Sequence, residues 1–413
     1  MKDSVNKLVE LAEGFLESLC FLSSTLQQYR RAWAQISEYC SARNVVELTD
    51  EVVTSYLGSL ETEQRDGLIT QQKRALLRRA ILILAEVAAT GGFKWKAFRE
   101  THPNDRLGQV FTQVQVDFEE WLKSQGLAET TMDAYASISR SVLAGFSDRG
   151  ISDVRSLTSA DMSTAVVCLG EHYQPGSMKM AVAVLRVLCR FFEETGSCEG
   201  LLRAVLTVRT RHVTTVQVLS AESVEKLVSA PDPATPIGRR DRAILLLAAR
   251  TGLRPSDITG LRLTDIDWRQ SQITLTQRKT QTTLTLPLLA DVGSAISAYI
   301  LDGRPTNTAE DHVFLLARAP FTPLQSSSLR NVSGSALAKA GIEVDGKNSR
   351  GLRLLRSSLA TRMLENDTSV PVISQALGHR APTSAKHYLG TDEARMRQCC
   401  LDFTGIEPSQ VKP

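Results

Sequence analysis

The sequence predicts a mainly α-helical chain with one small antiparallel β-sheet, an α+β arrangement, in its C-terminal half. Apolar residues recur at spacings of three and four through most of the first 200 residues, which is the pattern of amphipathic helices. Alternation of apolar and polar residues, the strand pattern, is clear only around residues 273–286. The 413 residues exceed the roughly 250 to 300 over which one core can grow, so two or three domains are expected.

The N-terminal half contains six segments with helical spacing. They are Val5 to Leu19, Leu26 to Tyr39, Arg74 to Ala88, Phe118 to Leu122, Met132 to Phe146 and Met180 to Phe192. Strand patterns are nearly absent from this half, so we expect it to be all-helical.

A faint internal repeat relates the two parts of this half at an offset of about 106 residues. The stretch from Thr25 to Tyr29 falls on Thr131 to Tyr135, and Lys73 falls on Lys179. Two similar helical modules are the favoured interpretation. Chance alignment of two amphipathic stretches is the alternative.

Helix ends are indicated at corresponding places in both modules. Thr49 and Thr158 each follow a leucine and precede a polar residue, as N-caps do. Thr90-Gly91 and Thr195-Gly196 each end a long apolar pattern, as expected where glycine terminates a helix.

Two stretches indicate linkers, residues 93–107 with a Pro-Asn-Asp turn and residues 197–218 with a basic character. The predicted domains are therefore residues 1–105, 108–200 and 215–413. The basic residues of the second linker are Arg203, Arg209, Arg211 and His212.

The pattern changes in the last domain. We expect a capped helix from Ala221 to Val228 and an apolar helix from Asp241 to Thr251. Ile273 to Gln277 and Thr282 to Leu286 alternate around a polar four-residue tip and predict a β-hairpin. Helices return from Ser327 onward.

Composition limits the kinds of site and partner. The net charge of +3 and the pI near 8.4 permit an anionic partner without requiring one. Seven cysteines without C-x-x-C pairs argue against a disulfide framework or a zinc site, and six histidines show no metal-ligand spacing. We therefore expect no metal and no cofactor.

Neither a membrane segment nor an export signal is indicated. The longest apolar runs, Ala80 to Ala85 and Ala243 to Ala249, are far shorter than the ~20 residues that span a bilayer. The N-terminus lacks the basic and then apolar layout of a signal peptide. A cytoplasmic protein without membrane contact is expected.

Five short signals in the last domain combine into one chemical pattern. The segment Thr251 to Ile258 ends an apolar helix at glycine and restarts after Arg254, with Ser256 or Asp257 available to cap. Lys279 stands at the hairpin tip, where a long cationic side chain can reach a groove. The other signals are Arg353 to Thr361, Leu377-Gly378-His379, and Tyr388, nine residues after the histidine.

In order and spacing these signals resemble the tyrosine recombinase (phage integrase) family. Its catalytic domain reads T-G-L-R, a hairpin lysine, H-x-L-R-H-x-F-A-T, L-G-H and a tyrosine, and the resemblance covers about residues 219–391. Each signal alone is weak, but their joint order is specific. The resemblance implies catalytic roles for Arg254, Lys279, Arg356, His379 and the nucleophile Tyr388.

Two positions depart from the family pattern. Arg353 stands three residues before the second arginine, where the family has histidine or lysine, and Ser357 replaces a common histidine. A guanidinium is not deprotonated in proteins, so Arg353 cannot accept the tyrosine's proton, although it can hold a phosphate at the catalytic site.

The resemblance implies a site-specific recombinase of a mobile element or phage. Such an enzyme cleaves and rejoins double-stranded DNA at a specific core site through a 3′-phosphotyrosyl link. It acts as a homotetramer on two duplexes, passes through a Holliday junction, and can use accessory DNA-bending or directionality proteins on the bacterial nucleoid. The alternatives are a catalytically impaired DNA-binding protein of the same fold, favoured by Arg353, and a telomere resolvase or type IB topoisomerase.

The resemblance also implies a C-shaped clamp, in which a SAM-like core-binding module of about residues 111–196 faces the catalytic domain across the duplex. The extra N-terminal module then binds accessory DNA, extends the grip or contacts neighbouring protomers. Some basic residues of both modules are candidate phosphate contacts, or else ordinary solvated helix charges. They are Lys73, Arg74, Lys179, Arg186 and Arg190.

Overall fold

The computed structural model describes residues 3–45, 47–93, 107–207, 217–344 and 351–379. Contacts divide the chain into two compact units, residues 97–213 and residues 1–96 together with 214–413. The first predicted linker falls largely outside the described residues, as do residues 208–216 of the second, and the three-domain division remains a prediction.

Four helices make up the described N-terminal segment. They are α1 (Asp3–Ser18), α2 (Ser23–Ala42), α3 (Asp50–Arg65) and α4 (Gln71–Thr90). The last of them packs against the other three, so its apolar face forms the centre of this bundle. Trp33 is buried there, and its indole N–H donates to the Ala80 carbonyl at 3.1 Å, which satisfies the one polar atom of that side chain.

The unit of residues 97–213 is also all-helical where it is described. Its helices are α5 (Gln109–Ser124), α6 (Glu129–Asp148), α7 (Ser159–His172), α8 (Pro175–Glu194) and the short α9 (Leu201–Ala204). Phe118, Phe146 and Phe192 are fully buried in a core to which every one of these helices contributes.

The helix bounds reproduce the repeat that the sequence indicates. α5 and α6 begin 106 residues after α1 and α2 and have the same lengths, 16 and 20 residues. The predicted caps are confirmed, since the side chains of Thr49 and Thr158 accept from backbone N–H groups of α3 and α7. Gly91 and Gly196 follow α4 and α8 with φ of 66° and 67°, as expected for glycines that end helices.

The remaining described residues form helices around a small sheet. These elements are α10 (Ala221–Ser229), α11 (Pro236–Thr251), α12 (Pro255–Gly260), β1 (Ile266–Asp267), β2 (Gln272–Thr276), β3 (Thr283–Pro287), α13 (Ala290–Asp302), α14 (Leu329–Lys339), α15 (Arg353–Glu365) and α16 (Val370–Ala376). The sheet is antiparallel in the order β1-β2-β3. The mainly helical fold with one small antiparallel sheet is therefore confirmed.

Two sequence-based bounds need correction. Helix α11 begins at Pro236 rather than Asp241, because Thr235 caps it and proline suits the first turn of a helix. The hairpin strands end at Thr276 and restart at Thr283. Gln277 and Thr282 belong to the connecting turn, which the Gln277 N–H closes by donating to the Thr282 carbonyl at 2.9 Å.

Helix α11 lies at the centre of this part of the fold. Its residues from Ala243 to Ala249 are all buried, and it packs against α10, α13 and α15. Its C-terminal end, which leads to Arg254, is thereby fixed on several sides. Within the described ranges no helix is both long and apolar enough to cross a membrane.

Replacing Ser358 with alanine tests how α15 holds the segment just before α10 in place. The buried Ser358 hydroxyl accepts from the Leu219 N–H at 2.7 Å and donates to the Leu354 carbonyl at 2.8 Å. Its loss leaves the Leu219 donor without this partner, at a cost of about 1 to 3 kcal/mol. Urea denaturation should show this loss of unfolding free energy for Ser358→Ala. The exposed control Ser327→Ala should match the wild type, and equal stability of both variants would contradict the prediction.

Candidate active site

The turn between α11 and α12 positions the first candidate residue, Arg254. Gly252 ends α11 with φ of 64°, in the left-handed region that glycine adopts without strain. Arg254 is the N-cap residue of α12, followed by proline in the first turn. The predicted helix junction is confirmed, whereas the N-cap itself makes no side-chain capping bond.

Gly252 also lies so close to its neighbours that a side chain there would force them to shift. A Cβ there would stand 2.6 Å from Leu377 Cδ2 and 3.2 Å from Leu359 Cδ2. Its carbonyl accepts a hydrogen bond of 2.6 Å from Arg356 Nη1. The glycine therefore lets α11, α15 and the segment after α16 meet at one point.

Arg356 lies on the buried side of α15 and is only 7% exposed. Besides the Gly252 carbonyl, it contacts the Leu377 carbonyl, to which Nη2 donates at 2.9 Å. Both acceptors are neutral, so they orient the guanidinium without cancelling its charge. A fixed cation of this kind can bind an anionic group.

Arg254 reaches the same short segment from the other side. Its Nη2 donates to the Gly378 carbonyl at 3.2 Å, and its Nη1 donates to Gln277 Oε1 at 3.0 Å. The two arginines are thus held by the carbonyls of consecutive residues, Leu377 and Gly378.

Asp257 is a site residue whose role the sequence interpretation did not identify. Its side chain is fully buried, with Oδ2 3.9 Å from Arg254 Nη1. Oδ1 accepts from the Arg278 N–H at 3.1 Å and from the Ser256 hydroxyl at 3.4 Å. The carboxylate joins Arg254 to the hairpin turn, rather than capping α12 as the sequence suggested; the Arg-x-x-Asp spacing is the signal that could have indicated it.

His379 follows Gly378, which has φ of 61°. The backbone N–H of the half-buried His379 donates to the Ser374 carbonyl at 2.8 Å, which fixes the residue just after α16. Burial, together with the charges of Arg356 and Arg254, lowers the pKa of His379 to about 4. At neutral pH the imidazole is uncharged and suited to hydrogen bonding.

The other candidates differ in how the structure places them. Lys279 is exposed in the turn between β2 and β3, where the sequence predicted it. Arg353 is exposed at the first residue of α15. Ser357 is buried on the same helix. Tyr388 lies outside the described residues.

One cluster of described residues has potential metal ligands, Glu310, Asp311 and His312. Arg262 donates to Asp311 at 2.5 Å, and His312 Nδ1 lies 2.9 Å from a Glu310 carboxylate oxygen. These contacts describe a partly exposed ion-pair network, which needs no ion to account for it.

Comparisons with known proteins decide the family. The model of the phage integrase family matches residues 217–395. The protein y4gC of Sinorhizobium fredii, named as an integrase/recombinase, is 39% identical over 183 residues, which are 44% of this chain and 93% of that protein. A second protein of this organism with the same kind of name, y4rA, is 31% identical over 286 residues, 68% of each chain.

The chain belongs to the phage integrase family. In fold it also resembles a solved lambda integrase tetramer bound to a Holliday junction, with a TM-score of 0.51 and 17% identity. That likeness covers 82% of this chain and 89% of the integrase. The predicted family membership is therefore confirmed.

Within the phage integrase pattern, the described residues bring Arg254, Arg356 and His379 together around Leu377 and Gly378. Lys279 belongs to the turn that Asp257 holds beside Arg254. The catalytic assignment of these residues remains a proposal.

The candidate DNA contacts on the helical modules differ in exposure. Lys73, Lys179 and Arg190 are exposed, while Arg74 is partly buried. Arg186 is partly buried as well, and its Nη1 donates to the carbonyls of Leu202 and Val205. That contact gives Arg186 a structural role in holding the chain after α9.

The lowered pKa of His379 predicts a pH dependence of stability. The unfolded chain protonates this histidine below its ordinary pKa of 6.5, whereas the folded chain resists protonation down to about pH 4. The free energy of unfolding should therefore decrease as pH falls from about 6.5 to 4. Urea denaturation across this range should show a smaller decrease for His379→Gln than for the wild type.

The matched control is His172→Gln, at an exposed histidine of α7. Its pH dependence should follow that of the wild type. If His379→Gln also followed the wild type over the whole range, the lowered pKa of His379 would be wrong.

Proposed function

We propose that this chain is a site-specific tyrosine recombinase that cleaves and rejoins DNA through a 3′-phosphotyrosyl intermediate. The supporting observation is the placement of two guanidinium groups on the carbonyls of Leu377 and Gly378, directly before His379. Forked N–H donors suit the nonbridging oxygens of a phosphodiester.

The reaction needs fixed cations more than any other group. A phosphodiester attacked by a phenol gains negative charge on its nonbridging oxygens in the transition state. Preorganised donors aimed at that charge can each increase the rate roughly hundredfold. Arg254 and Arg356 have donors held by backbone carbonyl and amide oxygens, so they are oriented before DNA binds.

Tyr388 is the proposed nucleophile. Its phenolic oxygen bonds to phosphorus while the bond from phosphorus to the 5′ oxygen breaks, and the phenolic proton passes to solvent. His379 stabilises the developing phenolate with a hydrogen bond. Lys279 donates a proton to the leaving 5′ oxygen as general acid.

The covalent link retains the energy of the broken bond. The 5′ hydroxyl of another strand can therefore attack the phosphotyrosine, release Tyr388 and form a new phosphodiester without ATP. Two such exchanges on paired duplexes pass through a Holliday junction. The lambda integrase tetramer on such a junction supports the same assembly here, a homotetramer on two duplexes.

The biological setting follows from this chemistry. We propose that the chain integrates, excises or resolves a mobile element at a specific core site, on the bacterial nucleoid in the cytoplasm, with accessory DNA-bending or directionality proteins. The repeat of helix bounds supports a DNA-contacting role for the N-terminal module.

A second candidate is a DNA-binding protein of this fold that has lost catalysis. The observation in its favour is Arg353, which cannot act as a base where the family has histidine or lysine. The chemistry itself would also suit a telomere resolvase or a type IB topoisomerase. The nine-residue spacing from His379 to Tyr388 favours the recombinase.

The nucleophile is tested with a nicked suicide substrate that carries the ends of the element. Wild type should form a covalent protein–DNA band, and Tyr388→Phe should form none, because it lacks the attacking oxygen. Tyr135→Phe, a partly buried tyrosine of α6, is the matched control and should form the band. Tight DNA binding by wild type without a band would instead favour the non-catalytic protein.

The DNA grip is tested at the exposed residues Lys179 and Arg190 of α8. The slope of log K against log salt concentration is negative, and each lost phosphate contact should reduce its magnitude by about 1. The loss should also weaken binding for all sequences alike. Titration of Lys179→Ala and Arg190→Ala at several salt concentrations measures this. Lys123→Ala, exposed at the end of α5, is the control; unchanged slopes in both α8 variants would assign these charges to solvent.

A further inference from the structure

Gln277 is a polar residue in a position that the strand pattern makes apolar. Burial alternates along β2, so Ile273 and Leu275 face the core, and Gln277 continues this face with 0% exposure. An aliphatic side chain there would avoid the cost of burying an amide. The glutamine therefore needs an explanation in the contacts of its side chain.

The side-chain oxygen of Gln277 joins two parts of the site. Oε1 accepts from Arg254 Nη1 at 3.0 Å and from the Thr280 hydroxyl at 2.8 Å. Thr280 follows Lys279 in the turn. One buried oxygen thus connects the proposed phosphate-binding arginine to the turn that carries the proposed general acid.

The amide also lies against the third part of the site. A Cβ at Gly378 would overlap Oε1 and stand 2.6 Å from Nε2, so any larger residue would displace the amide from this position. Nε2 is buried and has no hydrogen-bond partner among the described residues. The reverse orientation of the amide would place this donor against the guanidinium, so the oxygen must face Arg254.

Asp257 and Gln277 hold different sides of the turn. Asp257 accepts from the backbone N–H of Arg278, before Lys279, whereas Gln277 accepts from the side chain of Thr280, after it. Both residues also lie beside Arg254. The turn is therefore fixed on each side of the lysine.

We propose that Gln277 is a positioning residue that sets Arg254 and the Lys279 turn in one arrangement. The proposal rests on the proposed function, because it assigns the two connected groups to phosphate binding and proton donation. A misplacement of about 1 Å at either group can lower a rate about hundredfold.

The main test replaces Gln277 with methionine, which has a similar length and no oxygen acceptor. Cleavage of the suicide substrate should slow about hundredfold, with DNA affinity within about twofold of the wild type because the phosphate contacts elsewhere remain. Gln272→Met, at an exposed glutamine of the same strand, should cleave like the wild type. Cleavage by Gln277→Met at the rate of this control would overturn the proposal.

A second substrate separates positioning from loss of folding. Sulfur in place of the bridging 5′ oxygen leaves as a thiolate and does not need the proton from Lys279. For each protein, the rate on the sulfur substrate is divided by the rate on the ordinary substrate. This ratio should be about tenfold or more larger for Gln277→Met and Thr280→Val than for the wild type, because their defect lies partly in proton donation. A merely unstable variant would gain nothing, and that result would overturn the proposal.

Hydrogen exchange tests the connection without any cleavage. The backbone N–H of Arg278 donates to the Asp257 carboxylate, and that of Gln281 donates to the Gln277 carbonyl. Both should exchange faster in Gln277→Met and Thr280→Val, but not in Gln272→Met. Unchanged exchange in both turn variants would reject this inference even if wild type cleaves. A wild type that forms no covalent band would reject the proposed function, while faster exchange would still support the positioning role.

Discussion

The carbonyls of Leu377 and Gly378 are the constraint on which the candidate site depends. They accept from Arg356 and Arg254, which come from α15 and from the α11–α12 turn. Gly378 has a positive φ and meets a neighbour that leaves no room for a Cβ, so the segment after α16 cannot approach with an ordinary residue. The packing of several helices therefore fixes the position of the two guanidinium groups.

The electrostatic balance at this point favours an anionic ligand. The described hydrogen-bond acceptors of the two arginines are two kinds of neutral oxygen, backbone carbonyl and amide, while the carboxylate of Asp257 stays 3.9 Å from Arg254. Among these groups two guanidinium groups outnumber one carboxylate, so a net positive charge remains for a phosphate. His379 adds no charge at neutral pH because burial, together with the same arginines, lowers its pKa.

Local patterns in the sequence predicted the helices, caps and hairpin because those features depend on residues a few positions apart. Thr158, for example, caps α7 through a reciprocal contact with Asp161, three residues later. The family motif likewise indicated Arg254, Arg356 and His379. Asp257 and Gln277 escaped this reasoning, since their roles arise from contacts between α12 and the hairpin turn, which hydrophobic periodicity does not encode.

Three residues that break local rules occur together. Gln277 occupies an aliphatic strand position, Asp257 is a fully buried carboxylate, and Gly378 interrupts the chain after α16 with a left-handed residue. Burying the amide and the carboxylate each costs stability when taken alone. All three contact Arg254 or the segment that binds it, although buried polar side chains also occur elsewhere, as at Gln115 and Ser139. Because these three residues lie where the two arginines are oriented, we attribute their placement to the demands of the proposed reaction rather than of folding.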